Sequence, residues 1–242
     1  MQRFIILPVA AVLAVCAFGQ GKFQPPSGPA PRMADGKPDL SGVWQRPYVP
    51  DMTKSGPNQQ GMAELPFTEW GAQQWKNYHA EEGDYAGACL PFGLPRSMNS
   101  PEPLQLMQSS KYVSLMFEQN TWYHVFPIDG RPHRDQTTWF GDSVGHWDSD
   151  TLVVDTINFN GKTRLDTIGH PHSDQLHVVE RVRRVDHDTM TIDTTIDDPK
   201  TYTKSWGGHA VLELKPDWNL GEMVCEDDIN FGDLQKKSEG AK

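Results

Sequence analysis

From Lys111 onward apolar and polar residues alternate with a period of two, and this constrains the fold more than any other feature of the chain. Val113, Leu115 and Phe117 alternate with Tyr112, Ser114 and Met116, and Glu118 to Thr121 turns the chain into a partner segment, Trp122 to Phe126. Thr151 to Ile157 reads as a further strand, with Trp147 on a short partner across Asp148-Ser149-Asp150. Leu176 to Val185 and Met190 to Ile196 form the clearest hairpin, joined by Asp186 to Thr189. Ala210, Leu212 and Leu214 mark another strand, and Glu222 to Cys225 a last one. Side chains of a strand point alternately to its two faces, so each segment has one apolar face to bury; about eight short antiparallel strands do so by curling and closing, which also removes exposed edges.

The expected fold is therefore mainly β: an antiparallel barrel in a single domain over 41–242, with one short helix and a long irregular N-terminal segment wrapped over it. Thr68 caps the helix, Trp70, Gln74 and Tyr78 fall on one face, and Gly83 ends it. The 21 Gly and 19 Pro of the 242 residues are enough for the irregular stretch, 45–110.

Residues 1–19 carry one positive charge, Arg3, then an apolar run to Phe18, with small residues Ala17 and Gly19 at its end. This reads as a secretory signal peptide cut before Gln20; the run is short for a membrane helix and contains Pro8. Leu13-Ala14-Val15-Cys16 is similar to a lipobox, but Val15 is large where a small residue belongs, so lipidation of Cys16 is the weaker alternative. Residues 20–40, rich in Pro and Gly, read as a flexible tether. The mature protein is expected outside the cytoplasm, secreted or periplasmic, with no transmembrane segment. Cleavage leaves Cys89 and Cys225, which an oxidising compartment pairs into a disulfide; two separately buried thiols are the alternative. A formal charge of −10 repels a phosphate backbone, so nucleic acid is not an expected partner, and a small molecule is. The oligomeric state is not legible.

Gly42-Val43-Trp44 resembles the lipocalin signature, which implies a barrel whose end the Trp closes, although the Thr-Asp-Tyr motif that accompanies it is absent. The motifs at 35–44 (Asp-Gly-Lys-Pro-Asp-Leu-Ser-Gly-Val-Trp), 129–133, 141–147 and 169–173 are similar to those of a group of secreted bacterial proteins. That resemblance implies export and brings no activity.

Six of the nine histidines lie between residues 120 and 180, among many carboxylates. On the connection between two strands, His133 or His146 could shuttle protons, with Asp129 or Asp142 fixing the tautomer and Arg131 stabilising a developing anion. The alternative is that Asp129-Gly130 is turn chemistry and Arg131 holds the loop. His170 and His172, two apart around Pro171, with His177 and Glu180, could hold a zinc-like divalent ion with an open position. Glu180 shares a strand face with Leu176, Val178 and Val182, so if that face is interior the carboxylate needs a partner. Two functions compete: an acid–base hydrolase, lyase or isomerase, metal-assisted or not, and a non-catalytic barrel that holds an apolar or aromatic ligand with Trp122, His124, Trp139, Trp147 and Trp206. Nucleophile-elbow, dinucleotide, phosphate-loop and His-Glu-x-x-His motifs are absent.

Overall fold

A computed structural model describes residues 28–80 and 84–225. The expected signal peptide, with Cys16 in it, the start of the expected tether, Gly83 and the residues after 225 lie outside this range.

Nine strands follow one another by antiparallel pairing around a nearly closed barrel. In chain order they are β1 (Gly42–Gln45), β3 (Leu104–Gln108), β4 (Tyr112–Phe117), β5 (Tyr123–Pro127), β6 (Asp142–Asp148), β7 (Thr151–Ile157), β8 (His177–Arg184), β9 (Thr189–Asp197) and β10 (Trp206–Leu214). A two-residue strand, β2 (Gln59–Gln60), pairs with β10 beyond the end of β1. Around the barrel the order is β5-β4-β3-β1-β10-β9-β8-β7-β6. The two outer strands then face each other across a seam. No ladder joins them among the described residues; Gly130 N donates to Gly145 O at 3.0 Å, and His124 Nε2 meets Ser143 Oγ at 2.7 Å.

The registers place one row of side chains inward: Leu152 beside Val182, Val154 beside Glu180, and Ile192 beside both Val182 and Ala210. These positions are filled by Leu, Val, Ile, Met and Phe, and the void left among them is about 20 Å³, room for a single water. A barrel of this size is filled by its own side chains.

Trp44 is fully buried at one end, its indole donating to Leu40 O at 3.0 Å and its ring covered by the Arg184 guanidinium at 5.0 Å. Arg184 also donates to Asp39 O at 2.6 Å, and Leu40 N to Gln108 Oε1 at 2.9 Å. The expected tether therefore behaves differently from Gly28 onward. Residues 28–40 pack over this end, and Arg32 pairs with Asp150 through bonds of 2.9 and 2.7 Å. Its Pro and Gly content misleads because ordering is compensated by contacts with distant residues rather than by the segment's own apolar surface.

The opposite end is capped by the β7–β8 connection, 158–176, and by helix α1 (Glu69–Lys76). Thr68 caps α1 as expected, Oγ1 accepting from Gly71 N at 3.1 Å, but the helix stops at Asn77 and Tyr78 lies beyond it. A five-residue helix, α2 (Leu94–Met98), and strands β2 and β3 were not expected. Glu222 to Cys225 forms no strand; Cys225 there bonds to Cys89, closing a separation of 136 residues. Among the described residues no helix is long and apolar enough to cross a membrane.

Candidate functional site

The expected acid–base group divides. Asp142, Ser143 and His146 lie on β6 rather than on a connection, because Ser143, Gly145 and Trp147 supply an inward row that their polar and glycine content conceals. His133, from the preceding loop, reaches Asp142 Oδ2 with Nδ1 at 3.2 Å and Asp155 Oδ1 with Nε2 at 2.9 Å. His177 Nε2 takes the other Asp155 oxygen at 2.9 Å. The result is a His–Asp–His chain on the outer barrel face, joined through His133 to Asp142. Asp142 is buried, which raises its pKa, but bonds from Arg134 N and Nε at 2.8 and 2.7 Å and from His133 outweigh burial and hold it below the usual carboxylate value. Arg131 is engaged elsewhere: it forks onto Asp129 at 2.9 and 2.6 Å, and its hydrogen bonds hold that carboxyl down at about 2. His146 is exposed and makes no hydrogen bond or ion pair among the described residues; it acts on Asp148 only through space.

The four residues expected to hold a metal do not converge. His170 Nδ1 bonds Asp166 at 2.6 Å, and its ring stacks on Trp75. His172 is held between Thr163 Oγ1 at 2.7 Å and Ser173 O at 2.8 Å. His177 and Glu180 are three apart on one strand, so alternation sends the first outward and the second into the barrel. Among the described residues one set of potential ligands does converge, Asp51, Asp166 and His170, whose ligand atoms lie within 4.8 Å of one another. It does not suit an ion, because the Asp166 oxygens already accept from Met52 N, Gly169 N, His170 N and His170 Nδ1 at 2.6–3.1 Å.

Glu180 is buried in the barrel with no hydrogen-bond or ion-pair partner among the described residues, and burial pushes its carboxyl up to about 7. His124 faces the interior beside Phe126 and Phe140; burial lowers it to about 4, and it is held by Ser143, which in turn meets Thr156 Oγ1 at 2.7 Å. The aromatics expected to bind a ligand are dispersed. Trp122 packs on Phe92 and Phe140 near the seam, Trp147 lies under Lys37, Trp206 is buried against Tyr202, and Trp139 lies beside Lys162. They share no cavity.

What the sequence reading missed is a polar cleft of about 260 Å³ at the capped end, lined by Trp70 and Gln74 of α1, Asn160 to Arg164, His172 to Asp174, and Lys200. Its walls are rigid for identifiable reasons. Asp198 accepts from Ser173 N and Oγ at 2.6 and 2.7 Å and from Thr201 Oγ1 at 2.7 Å, tying one wall to the turn after β9. The Ser173 carbonyl only accepts, so His172 Nδ1 carries the proton and Nε2 accepts from the Thr163 hydroxyl; burial, which lowers its pKa, keeps the ring neutral. Gly169, at φ +96°, has no room for a Cβ because the Tyr78 ring occupies that space, and Gly93, at φ +81°, lies directly against Thr163. Arg164 lies over Tyr78, its guanidinium 4.3 Å from the ring centroid. The sequence signal nearest to this site is the motif at 169–173, whose His170 and His172 point to a metal instead.

A scan of family models finds no match to the chain, and a search of curated proteins likewise finds none.

Proposed function

We propose that this is an exported small-molecule protein whose ligand binds in the external cleft beside Trp70 and Arg164, not inside the barrel. One observation carries the reading: the interior leaves a void of only about 20 Å³, and of the two larger hollows, about 290 Å³ beside Trp122 and Tyr123 and about 260 Å³ beside Trp70, only the second is lined by convergent charged groups. The signal-peptide pattern and the Cys89–Cys225 disulfide support export. Thermal unfolding of the mature protein with a panel of small polar molecules, charged and neutral, tests it. Stabilisation by at least one member is expected, and Trp70→Ala should remove it. One-to-one binding of an apolar fluorophore, lost on enlarging an interior residue such as Ala210→Phe, would instead place the ligand in the barrel.

An enzymatic reading is favoured by a separate observation, the accessible His133–Asp155–His177 chain, whose side chains are 24%, 38% and 37% exposed. Two imidazoles sharing one carboxylate suit proton transfer to a bound molecule. On this reading a molecule bound beside that chain, which lines no part of the cleft, is converted, and His133→Gln stops conversion while binding in the cleft is kept. A ligand recovered unchanged after long incubation with the native protein argues for binding alone.

A further inference from the structure

We infer that the ligand of the cleft is a compact dianion anchored by Arg164; this rests on the cleft being the binding site. The other buried arginines spend their terminal nitrogens on acceptors within the protein, although Nε of Arg46 and of Arg96 has none among the described residues. Arg96 pairs with Asp84 at 2.8 Å, Arg46 donates to the Ser97 and Glu102 carbonyls, and Arg184 to those of Asp39 and His187. Arg164 is half-buried, yet among the described residues its guanidinium meets no carboxylate at ion-pair distance and makes no side-chain hydrogen bond; it rests on the Tyr78 ring. Asp84 acts on it only through space and is already paired with Arg96, so this desolvated cation has no anion of its own; that is costly, and the missing partner is supplied if an anion enters from the cleft.

Two lysines surround the same space. Lys162 is exposed and unpaired, lying 6.0 Å from the Trp139 ring centroid, and Lys200 lies 4.9 Å from that of Trp70, with Asp174 3.6 Å away as a loose counterion. Three cations against one carboxylate leave two positive charges in the cleft of a chain whose formal charge is −10, a local reversal of sign that concentrates small anions. The planar guanidinium fork matches a carboxylate or phosphoryl group, and the lysines act as point charges around it. A volume of 260 Å³, about nine waters, is the size of a small molecule. Phosphate monoesters and dicarboxylates share this chemistry.

Isothermal titration calorimetry of the mature protein at low salt separates the outcomes. Phenyl phosphate and phenyl sulfate have nearly the same shape, but at pH 7.5 the first is mostly a dianion and the second a monoanion. Phenyl phosphate or succinate is expected to bind at least tenfold more tightly than phenyl sulfate, and whichever of the two is tighter identifies the ligand as a phosphoryl compound or a dicarboxylate. At pH 5 phenyl phosphate should lose its advantage as it takes up one proton and becomes a monoanion. Arg164→Gln should weaken binding tenfold or more, and Arg164→Lys less, with thermal midpoints measured for both to show that they fold. Equal binding of phenyl sulfate or of a neutral sugar keeps the cleft as the site and overturns the dianion. Unchanged affinity in a folded Arg164→Gln does the same. No binding of any probe removes both readings.

Discussion

The protein buries carboxylates in two opposite ways. At the capped end, Asp166 and Asp198 are wholly inaccessible and each is surrounded by backbone and side-chain donors. In the barrel, Glu180 is nearly as buried and has none among the described residues. The aspartates take the place of regular secondary structure: each gathers N–H groups from segments distant in sequence and so gives an irregular connection the rigidity that a cleft wall needs. Glu180 sits on a regular strand that needs no such help, and contributes a desolvated group instead. A buried acid is a staple where the backbone lacks a ladder and a cost where the ladder is complete.

The contrast breaks first at Asp198. In Asp198→Ala the donors of Ser173 and Thr201 lose their acceptor inside the protein, and a loss of about 3–5 kcal/mol is expected, read as a fall in thermal midpoint of about 10 °C or more. A change within a degree or two would mean that the staple is ornamental.

Glu180→Gln should do the reverse. The native carboxyl holds its proton to about pH 7, above its ordinary value of 4.5, so between these two pH values the folded state binds more protons than the unfolded state. Stability is therefore lost as pH rises through that window and stays reduced above it. Glu180→Gln removes the slope and should gain up to about 3 kcal/mol at pH 8 and little at pH 4. Denaturant titrations at the two pH values check the sign; an equal effect at both would deny the raised proton affinity.

The smallest effect belongs to a carboxylate that is not buried at all. Asp129 and Arg131 are both exposed, so Arg131→Ala should leave the unfolding midpoint unchanged within error, despite the short bonds between the pair. A large fall would show that surface pairs matter here as much as staples.

These differences also mark where sequence is informative. β4, β7, β8 and β9 were legible because alternation is local, and the same alternation puts Glu180 on the face of Leu176, Val178 and Val182. β6 is legible only as a short partner at Trp147, because the rest of its inward row, Ser143 and Gly145, does not read as apolar. The cleft was invisible for a different reason. Its cations come from residues 162, 164 and 200 and its aromatic from residue 70, and only the folding of three separate segments against one another brings them together. His170 and His172 read as a pair that could share a metal, but which side of Pro171 each ring takes depends on Asp166 and Thr163, whose proximity is tertiary.

The seam histidine gives the barrel a second titration to set against Glu180. Burial lowers His124 to about 4 from 6.5, so between these values the unfolded chain binds the extra proton, and folding is favoured as pH rises. Glu180 favours folding as pH falls, over a window that overlaps most of that range. One interior therefore contains two opposed proton linkages of comparable span. Over mildly acidic pH their slopes offset each other, and the native barrel is buffered against acidity by a pair of groups that are each, alone, a source of sensitivity to it.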